Sequence, residues 1–395
     1  MKTAIVGGGA AGFFLAIHLK ELLPDMTVVV MERAQRVLAK VEISGGGRCN
    51  CTNSFEDVSD LSAVYPRGHR LLKRLFNVFS PSDAYDWFEQ RGVKLTTQAD
   101  HCVFPASQDS HSIINCLTGE ARRLGVQVLT GRKIGSLTEL ADYDFVAVTT
   151  GGSPRDEGLE WLRNAGVETV APVPSLFTFS IDDAGLRSLM GAVAEQASVS
   201  LAGTKLRAAG PLLVTHWGMS GPAILKLSSL GARLLAEHRY QMPLIVNWTS
   251  QGDAEAGSEL SRIMTANGRK LVGSIAPSGV PQRLWAYLAA KAVGDGRRWG
   301  ELSRKDQNRL VSVLTNDNYT ISGRGMWKDE FVTCGGVALA AVDAATLESK
   351  HVEGLFFAGE VLDVDGVTGG FNFQAAWTTG YVAAEGIARK ARNKQ

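Results

Sequence analysis

The apolar residues of this 395-residue chain fall into two textures. Over the first 150 positions they form compact blocks that alternate between strand-like runs and helical spacing. Residues 4–6 end a short buried strand, 10–22 carry apolar side chains at helical spacing, and 27–31 form a second strand. Helical patterns recur at 83–90 and 110–124, and strands at 126–130 and 144–149. Strands alternating with helices predict βαβ units and a parallel sheet. From about residue 171 the texture changes. Segments 176–181, 197–201, 205–208, 212–215 and 243–248 are short, with turn residues between them, and predict an antiparallel sheet or barrel. Residues 223–235 read as a strong helix, with Ser220 the expected N-cap and Pro222 in the first turn. Residues 253–313 turn helical and polar, 319–322 and 330–333 return to strands, and the last sixty residues resume the alternating style. No repeat or low-complexity tract interrupts this order. The expected organisation has five parts: a first domain over 1–170, an inserted β-rich domain over 171–250, a helical subdomain over 251–313, return strands over 314–333, and the first domain completed by 334–395.

Glycine placement gives the first domain its chemistry. Residues 2–12 read KTAIVGGGAAG, a strand that runs into Gly7-x-Gly9-x-x-Gly12. Gly7 suits the tight turn, Gly9 lets the backbone approach a pyrophosphate, and Gly12 lets helix and strand pack closely. The helix start then offers free N–H groups to the phosphates. The second strand ends at Glu32, twenty residues after Gly12, where an acid accepts hydrogen bonds from the adenosine ribose. Its carboxylate would repel a 2′-phosphate, which disfavours NADP here. These features predict a Rossmann-like dinucleotide-binding domain.

Residues 354–380 read GLFFAGEVLDVDGVTGGFNFQAAWTTG: a second apolar strand, an acidic glycine-rich turn, and a helix over 373–388. A chain that returns to its nucleotide domain to lay a helix start against a large cofactor reads as a flavin protein. Gly359-Glu360 places a carboxylate for a polyol chain, and a helix start after Gly369-Gly370-Phe371-Asn372 carries partial positive charge toward a reduced ring. Residues 43–53 read ISGGGRCNCTN; Gly45, Gly46 and Gly47 make a backbone surface for a flat or phosphorylated ligand, with Arg48 and Asn50 adding polar groups. Lys40 is placed to reach the phosphates. Thr150-Gly151 ends an apolar strand, where the chain would cross near the cofactor. His216, in THWGMSGP, is a weaker candidate on the substrate side.

Composition narrows the partners. A formal charge of +1 gives no sign of nucleic acid or an anionic membrane surface. The five cysteines form no C-x-x-C pair and no grouping with zinc spacing, so no metal site is expected and reduced cytoplasmic thiols are. No apolar run reaches the ~20 residues of a membrane span. There is no second G-x-G-x-x-G after a strand, so any NAD(P)H would dock transiently as a reductant.

Taken together, the motifs SGGGRCN (44–50), VFPAS (103–107), THWGMSGPA (215–223), TCGGV (333–337), TLESK (346–350) and GEVLDVDGVTGGFNFQAAW (359–377) resemble, nearly end to end, the aminoacetone-oxidase-like or BaiN/YhiN-type FAD flavoproteins of the two-dinucleotide-binding-domain superfamily. The resemblance implies non-covalent FAD, an α/β class with a discontinuous Rossmann-like FAD domain, an inserted β-barrel-like domain and a small helical subdomain. By position, the implied FAD contacts are Gly7, Gly9, Ala10, Ala11, Gly12, Glu32, Arg33, Lys40, Ser44, Gly45, Gly46, Gly47, Arg48, Cys49, Asn50, Thr150, Gly151, Gly359, Glu360, Gly370, Phe371, Asn372 and Gln374. Two departures from the family pattern stand out, the second of which bears on substrate. Ala39 stands where the family has an arginine, and Ser153-Pro154-Arg155-Asp156-Glu157-Gly158 shortens a stretch that borders the active site. The expected function is a cytoplasmic FAD-dependent oxidoreductase. A hydride passes between flavin N5 and a small organic substrate, of the amine/ketone or the conjugated enone class. The alternative is a non-catalytic or RNA-linked regulatory flavoprotein. No residue stands out as a catalytic base, and oligomeric state is open.

Overall fold

A computed structural model describes residues 1–153, 155–325 and 332–394. The chain forms two compact units, one of Met1–Val173 completed by the segment from Val332 to the C-terminus, the other starting at Pro174.

The first unit is built on a five-stranded parallel sheet. Its order is Leu355–Phe357, Phe145–Val148, Lys2–Val6, Thr27–Met31, Gln127–Leu129. Lys2–Val6 is central, with Ile5 opposite Val30 on one side and Ala147 on the other. Such strands read as continuous apolar runs because helices cover both faces; Ala4, Ile5, Val30, Ala147 and Phe356 have no more than trace exposure. Leu355–Phe357 joins in parallel beside Phe145–Val148, so the two ends of the chain share one sheet, as expected. Helix Ala10–Leu22 packs on the C-terminal helix Phe371–Asn393, longer than predicted at both ends. Their closest approach uses Gly380, where a Cβ would stand 2.9 Å from the Ala11 carbonyl oxygen. The rings of Phe14 and Trp377 lie 5.2 Å apart in the same contact. A small antiparallel sheet of Thr52–Asn53, Cys102–Pro105 and Leu95–Thr97 escaped the sequence reading, its strands being too short to show a period.

The second unit contains a closed six-stranded antiparallel barrel. In order, its strands are Val193–Leu201, Arg207–Val214, Gly218–Ser220, Phe179–Ile181, Asp317–Arg324 and Met242–Asn247, and the last pairs back to the first. The predicted segments 205–208 and 212–215 are one strand. Gly210-Pro211 reads as a break, yet the ladder continues past it because the partner strand shifts register between Ala194 and Ala197, opposite the proline that has no N–H to give. The predicted 223–235 helix is two, Pro222–Leu230 and Ala232–Glu237, divided at Gly231. Its cap is also corrected: Ser220 pairs with Leu213 in the barrel, and Gly221 caps the helix with Pro222 at its first position. Helices Asp253–Asn267, Gln282–Val293 and Arg304–Thr315 share one apolar cluster with the barrel: Leu260, Leu284, Trp285 and Leu314 pack with Val199, Leu244 and Trp248. Of the strand expected over 330–333, Val332–Val337 is observed, while Glu330 and Phe331, like Pro154, lie outside the described residues.

Candidate cofactor site

The site grows from the first turn of the parallel sheet. Gly7 has φ +118°, and a Cβ there would fall 2.4 Å from the Thr149 carbonyl oxygen. A Cβ on Gly12 would fall 2.1 Å from the Gly7 carbonyl oxygen. Both glycines therefore serve backbone packing inside the protein. Thr149 locks the turn: its hydroxyl donates to the Gly7 carbonyl at 2.8 Å and its N–H to the Val6 carbonyl at 2.8 Å. Its signal was a threonine at the end of an apolar strand, but the sequence reading chose Thr150, which is exposed. Gly9 differs from its neighbours. Nothing lies within 4 Å of a Cβ built on it, and no side chain caps the helix it precedes. The first-turn N–H groups of that helix, at Ala10, Ala11 and Gly12, have no acceptor within the helix, an arrangement that can bind an anion.

Glu32 stands against this turn. One carboxylate oxygen accepts the Gly8 N–H at 2.8 Å and the other the Ala34 N–H at 2.8 Å. The carboxylate is thus fixed by its own backbone, and each oxygen keeps a lone pair for a ribose hydroxyl. Arg33 is exposed beside it.

Glu360 gathers three further segments. Its Oε2 lies 2.9 Å from Lys40 Nζ, and its Oε1 accepts the Thr333 N–H at 2.8 Å. Gly151, left-handed at φ +74°, faces the same carboxylate, and a Cβ on Gly152 would come within 2.6 Å of Glu360 Oε1. Lys40, assigned from sequence to phosphates, is here ion-paired to the acid assigned to the polyol. Gly359 rests on the first helix, where a Cβ would meet that of Ala11 at 2.8 Å, and its N–H donates to Thr379 Oγ1 at 2.8 Å.

The third part joins residues 44–50 to the C-terminal helix. The helical run from Ala39 breaks at Ser44 (ψ 150°), and Gly45 to Gly47 are left-handed. Cβ positions on Gly46 and Gly47 meet nothing within 4 Å. Arg48 is held in place: Nε donates to the Gly45 carbonyl at 3.0 Å, and the guanidinium lies 4.3 Å from the centre of the Phe104 ring. Asn50 bridges to the helix start once its amide is oriented so that Nδ2 donates to the Thr52 carbonyl at 3.0 Å and Oδ1 accepts the Gly370 N–H at 3.2 Å. Gly370 is the N-cap of Phe371–Asn393, at φ +87° and without a side-chain cap. A Cβ on it would stand 2.1 Å from the Thr52 carbonyl oxygen, so the room it leaves is taken by Thr52.

Four of the residues implied as FAD contacts have side chains engaged inside the protein. Cys49 has no exposed surface, its N–H donates to the Ser44 carbonyl at 3.0 Å, and burial pushes its thiol up to about 12, so it folds the loop as a neutral group. Gln374 is also fully buried: its Oε1 accepts from Thr52 Oγ1 at 2.6 Å and its Nε2 donates to Thr378 Oγ1 at 3.0 Å. Asn372 uses both ends of its amide on the backbone of Gly366, at 2.8 and 2.9 Å. Phe371 is buried, and its carbonyl accepts from Tyr65 Oη at 2.7 Å. These side chains brace the helix start. A buried ion pair missed from sequence helps them: Arg67 Nε donates to Asp365 Oδ1 at 2.5 Å, with Asp365 fully buried. The signal was the second acid of the DVDG turn. His216 belongs to the second unit. It sits exposed in the tight turn between Arg207–Val214 and Gly218–Ser220, its ring edge-on to Trp217 at 4.4 Å.

A parallel nucleotide sheet closed by both ends of the chain, with a barrel inserted between them, defines the class: an FAD-dependent oxidoreductase with a Rossmann-like domain. The chain belongs to the HI0933-like protein Rossmann domain family, which it matches over residues 1–386. Among its relatives is a 3-dehydro-bile acid delta(4,6)-reductase of Clostridium scindens, 25% identical over 415 aligned residues that cover 98% of this chain and 99% of the relative. Another is a ribosomal RNA dihydrouridine synthase of Haemophilus influenzae, 25% identical over 413 residues, covering 98% and 99%. Among solved structures, a 3-ketosteroid delta1-dehydrogenase from Sterolibacterium denitrificans has a TM-score of 0.50 at 12% identity, covering 98% of this chain and 99% of that one, a likeness of fold. Among the described residues no helix is long and apolar enough to cross a membrane.

Proposed function

We propose that this chain reduces a carbon–carbon double bond conjugated to a carbonyl, using FAD held by the first unit. The observation that carries the cofactor half is the pair of helix starts without side-chain caps, at Gly9 and Gly370, on two helices packed against each other. The residues present suit FAD. Glu32 takes the adenosine ribose, and open backbone at Gly9 and the start of Ala10–Leu22 takes the pyrophosphate. Glu360 and Lys40 meet the ribityl chain, and the backbone of 45–47 with the Phe371–Asn393 start meets the ring. Bound FAD supplies a hydride at N5. The chain's own groups orient and polarise: the helix start beyond Gly370 favours negative charge at its end, and Arg48 holds a fixed positive charge beside the open glycines.

The substrate half rests on chemistry shared by relatives of different substrate size. A delta(4,6)-reductase of a 3-dehydro-bile acid and a dihydrouridine synthase both saturate a double bond conjugated to a carbonyl. In that reaction the carbon distal to the carbonyl gains a hydride and the proximal carbon a proton, and a reduced nicotinamide, NADH or NADPH, restores the cofactor. The test is anaerobic reduction of the purified yellow protein by each nicotinamide, followed by mixing with a 3-keto-Δ4 steroid, a simple cyclic enone, uridine, unmodified ribosomal RNA and a small amino ketone. Reoxidation by at least one conjugated substrate, with product heavier by two hydrogens, is expected. Reoxidation by oxygen alone, or amine oxidation in the reverse direction, would reject the enone reading.

A further inference from the structure

The carboxyl edge of the parallel sheet concentrates positive charge that the overall +1 conceals. The loop after Thr27–Met31 contributes Arg33 and Arg36, and the loop after Gln127–Leu129 contributes Arg132 and Lys133; all four are exposed. Backbone hydrogen bonds fasten the loops together. The Gly131 N–H donates to the Ala34 carbonyl at 2.9 Å, and the Arg132 N–H to the Glu32 carbonyl at 2.9 Å. The two loops that carry the cations are therefore fastened to each other through their backbones.

Local acids cancel only part of this charge. Arg132 is paired with Glu139 at 3.3 Å, while among the described residues Arg33, Arg36 and Lys133 have no carboxylate partner. Glu32 lies nearest in sequence; its carboxylate accepts the N–H groups of Gly8 and Ala34 and offsets one cation, as Glu139 offsets another, so that the four cations keep an excess of two. A basic surface is most often merely solvated. Position distinguishes this one. It rims the ends of the parallel strands, where ligands of doubly wound sheets enter, and the loop that carries Arg33 and Arg36 is tied to the residue before Gly9, the Leu38 N–H donating to the Gly8 carbonyl at 2.8 Å.

We propose that Arg33, Arg36, Arg132 and Lys133 form an electrostatic capture rim for a nucleoside diphosphate, namely the dianionic pyrophosphate half of the incoming FAD. Surface charges of one sign around a cleft raise the local concentration of an oppositely charged ligand and speed its entry. Charges that stay in solvent at the rim act on the association rate, while the buried groups of the site govern how slowly the ligand leaves. The inference rests on FAD binding and is independent of the enone reading.

The test uses the full chain stripped of flavin and mixed with FAD in a stopped-flow instrument, following flavin fluorescence. Arg36 and Lys133 are the residues to change, since neither is assigned to holding the cofactor. The R36E/K133E pair is expected to slow association about tenfold at low ionic strength, within the range that steering supplies. The difference should vanish near 1 M salt, where the Debye length is about 3 Å. Dissociation rate and bound-flavin spectrum should match the parent. Riboflavin, which has no phosphate, should associate with parent and variant at the same rate. If charge reversal lowers the melting temperature of the unloaded chain, R36Q/K133Q replaces it, with a smaller loss of the same salt dependence expected. An association rate equal to the parent's at low salt would overturn the proposal. So would an effect confined to dissociation, or equal slowing of riboflavin.

Discussion

Gly9 and Gly370 each precede a helix, Ala10–Leu22 and Phe371–Asn393, and no side chain caps either start. Around Gly9 a Cβ would meet nothing within 4 Å, and its φ of −91° is open to any residue. Gly370 is left-handed at +87°, and a Cβ would run into the Thr52 carbonyl oxygen at 2.1 Å. The same residue type before the same kind of element thus answers two demands. At Gly9 the missing side chain leaves space that the protein itself does not use; at Gly370 it lets the protein's own strand pass. The first glycine leaves an opening and the second is required by the fold, although both stand in motifs that read as cofactor-binding.

The largest expected effect comes from Gly370→Val. A branched side chain at positive φ against backbone cannot be relieved by a rotamer change, so the unloaded chain should lose about 3 kcal/mol or more of stability. Urea unfolding without added flavin measures it. A stable unloaded variant that merely binds FAD poorly would return Gly370 to the ligand side of the comparison. Glu32→Gln comes next. Charge-assisted hydrogen bonds are worth about 1.5–3 kcal/mol, so FAD affinity should fall roughly ten- to a hundredfold with the bound spectrum unchanged. Because the amide cannot accept both the Gly8 and Ala34 N–H groups, the unloaded chain should weaken too. Unaltered affinity would remove Glu32 from the ribose. Asn372→Ala breaks two hydrogen bonds to Gly366, together about 1–3 kcal/mol of stability. The flavin potential should hardly move, because the proposed contact with the ring is made by backbone; a large shift with stability intact would contradict the bracing role.

The smallest effect is a pH slope. His18, on the first helix, is buried among Phe14, Trp87 and Tyr381, with Glu21 3.1 Å away. Burial lowers its pKa, the Glu21 contact opposing. The unfolded chain then binds the proton more readily, so the neutral ring's contribution is complete above about pH 6.5 and is lost as pH falls below it. Glu21, lowered chiefly by its hydrogen bond to His18 against desolvation, loses its contribution only below about pH 4.5. Melting temperature measured from pH 7.5 to 5 should decline, and His18→Leu should flatten that decline; an equal slope in both proteins would assign it elsewhere.

Legibility followed the range of the interactions. Ala10–Leu22 and Thr27–Met31 are read from local periodicity and a local fingerprint, and the structure has them at those bounds; the strand read as ending over 4–6 is Lys2–Val6. The barrel type was readable from short strands between turns, but its order was not. Closure joins Val193–Leu201 to Met242–Asn247, and Asp317–Arg324 to Phe179–Ile181, partners that no local pattern announces. Within the site, sequence named the segments that converge but not which side chains turn inward. Asn372 and Gln374 stand in the most cofactor-like motif, yet their amides close on Gly366, Thr52 and Thr378. Thr149 and Thr333, whose bonds fix Gly7 and Glu360, were passed over, because what they hold lies 142 and 27 residues away.

The central claim is that the space before the first helix is kept for FAD, and Gly9→Ala tests it most directly. The measurement is FAD titration of the flavin-free variant alongside its unloaded melting curve. The account predicts unloaded stability within about 0.5 kcal/mol of the parent, as for a surface change. It also predicts FAD affinity lower by about tenfold or more, or about 1.4 kcal/mol. FAD bound as tightly as by the parent would mean that no ligand backbone approaches Gly9, and that the opening there is not the cofactor's.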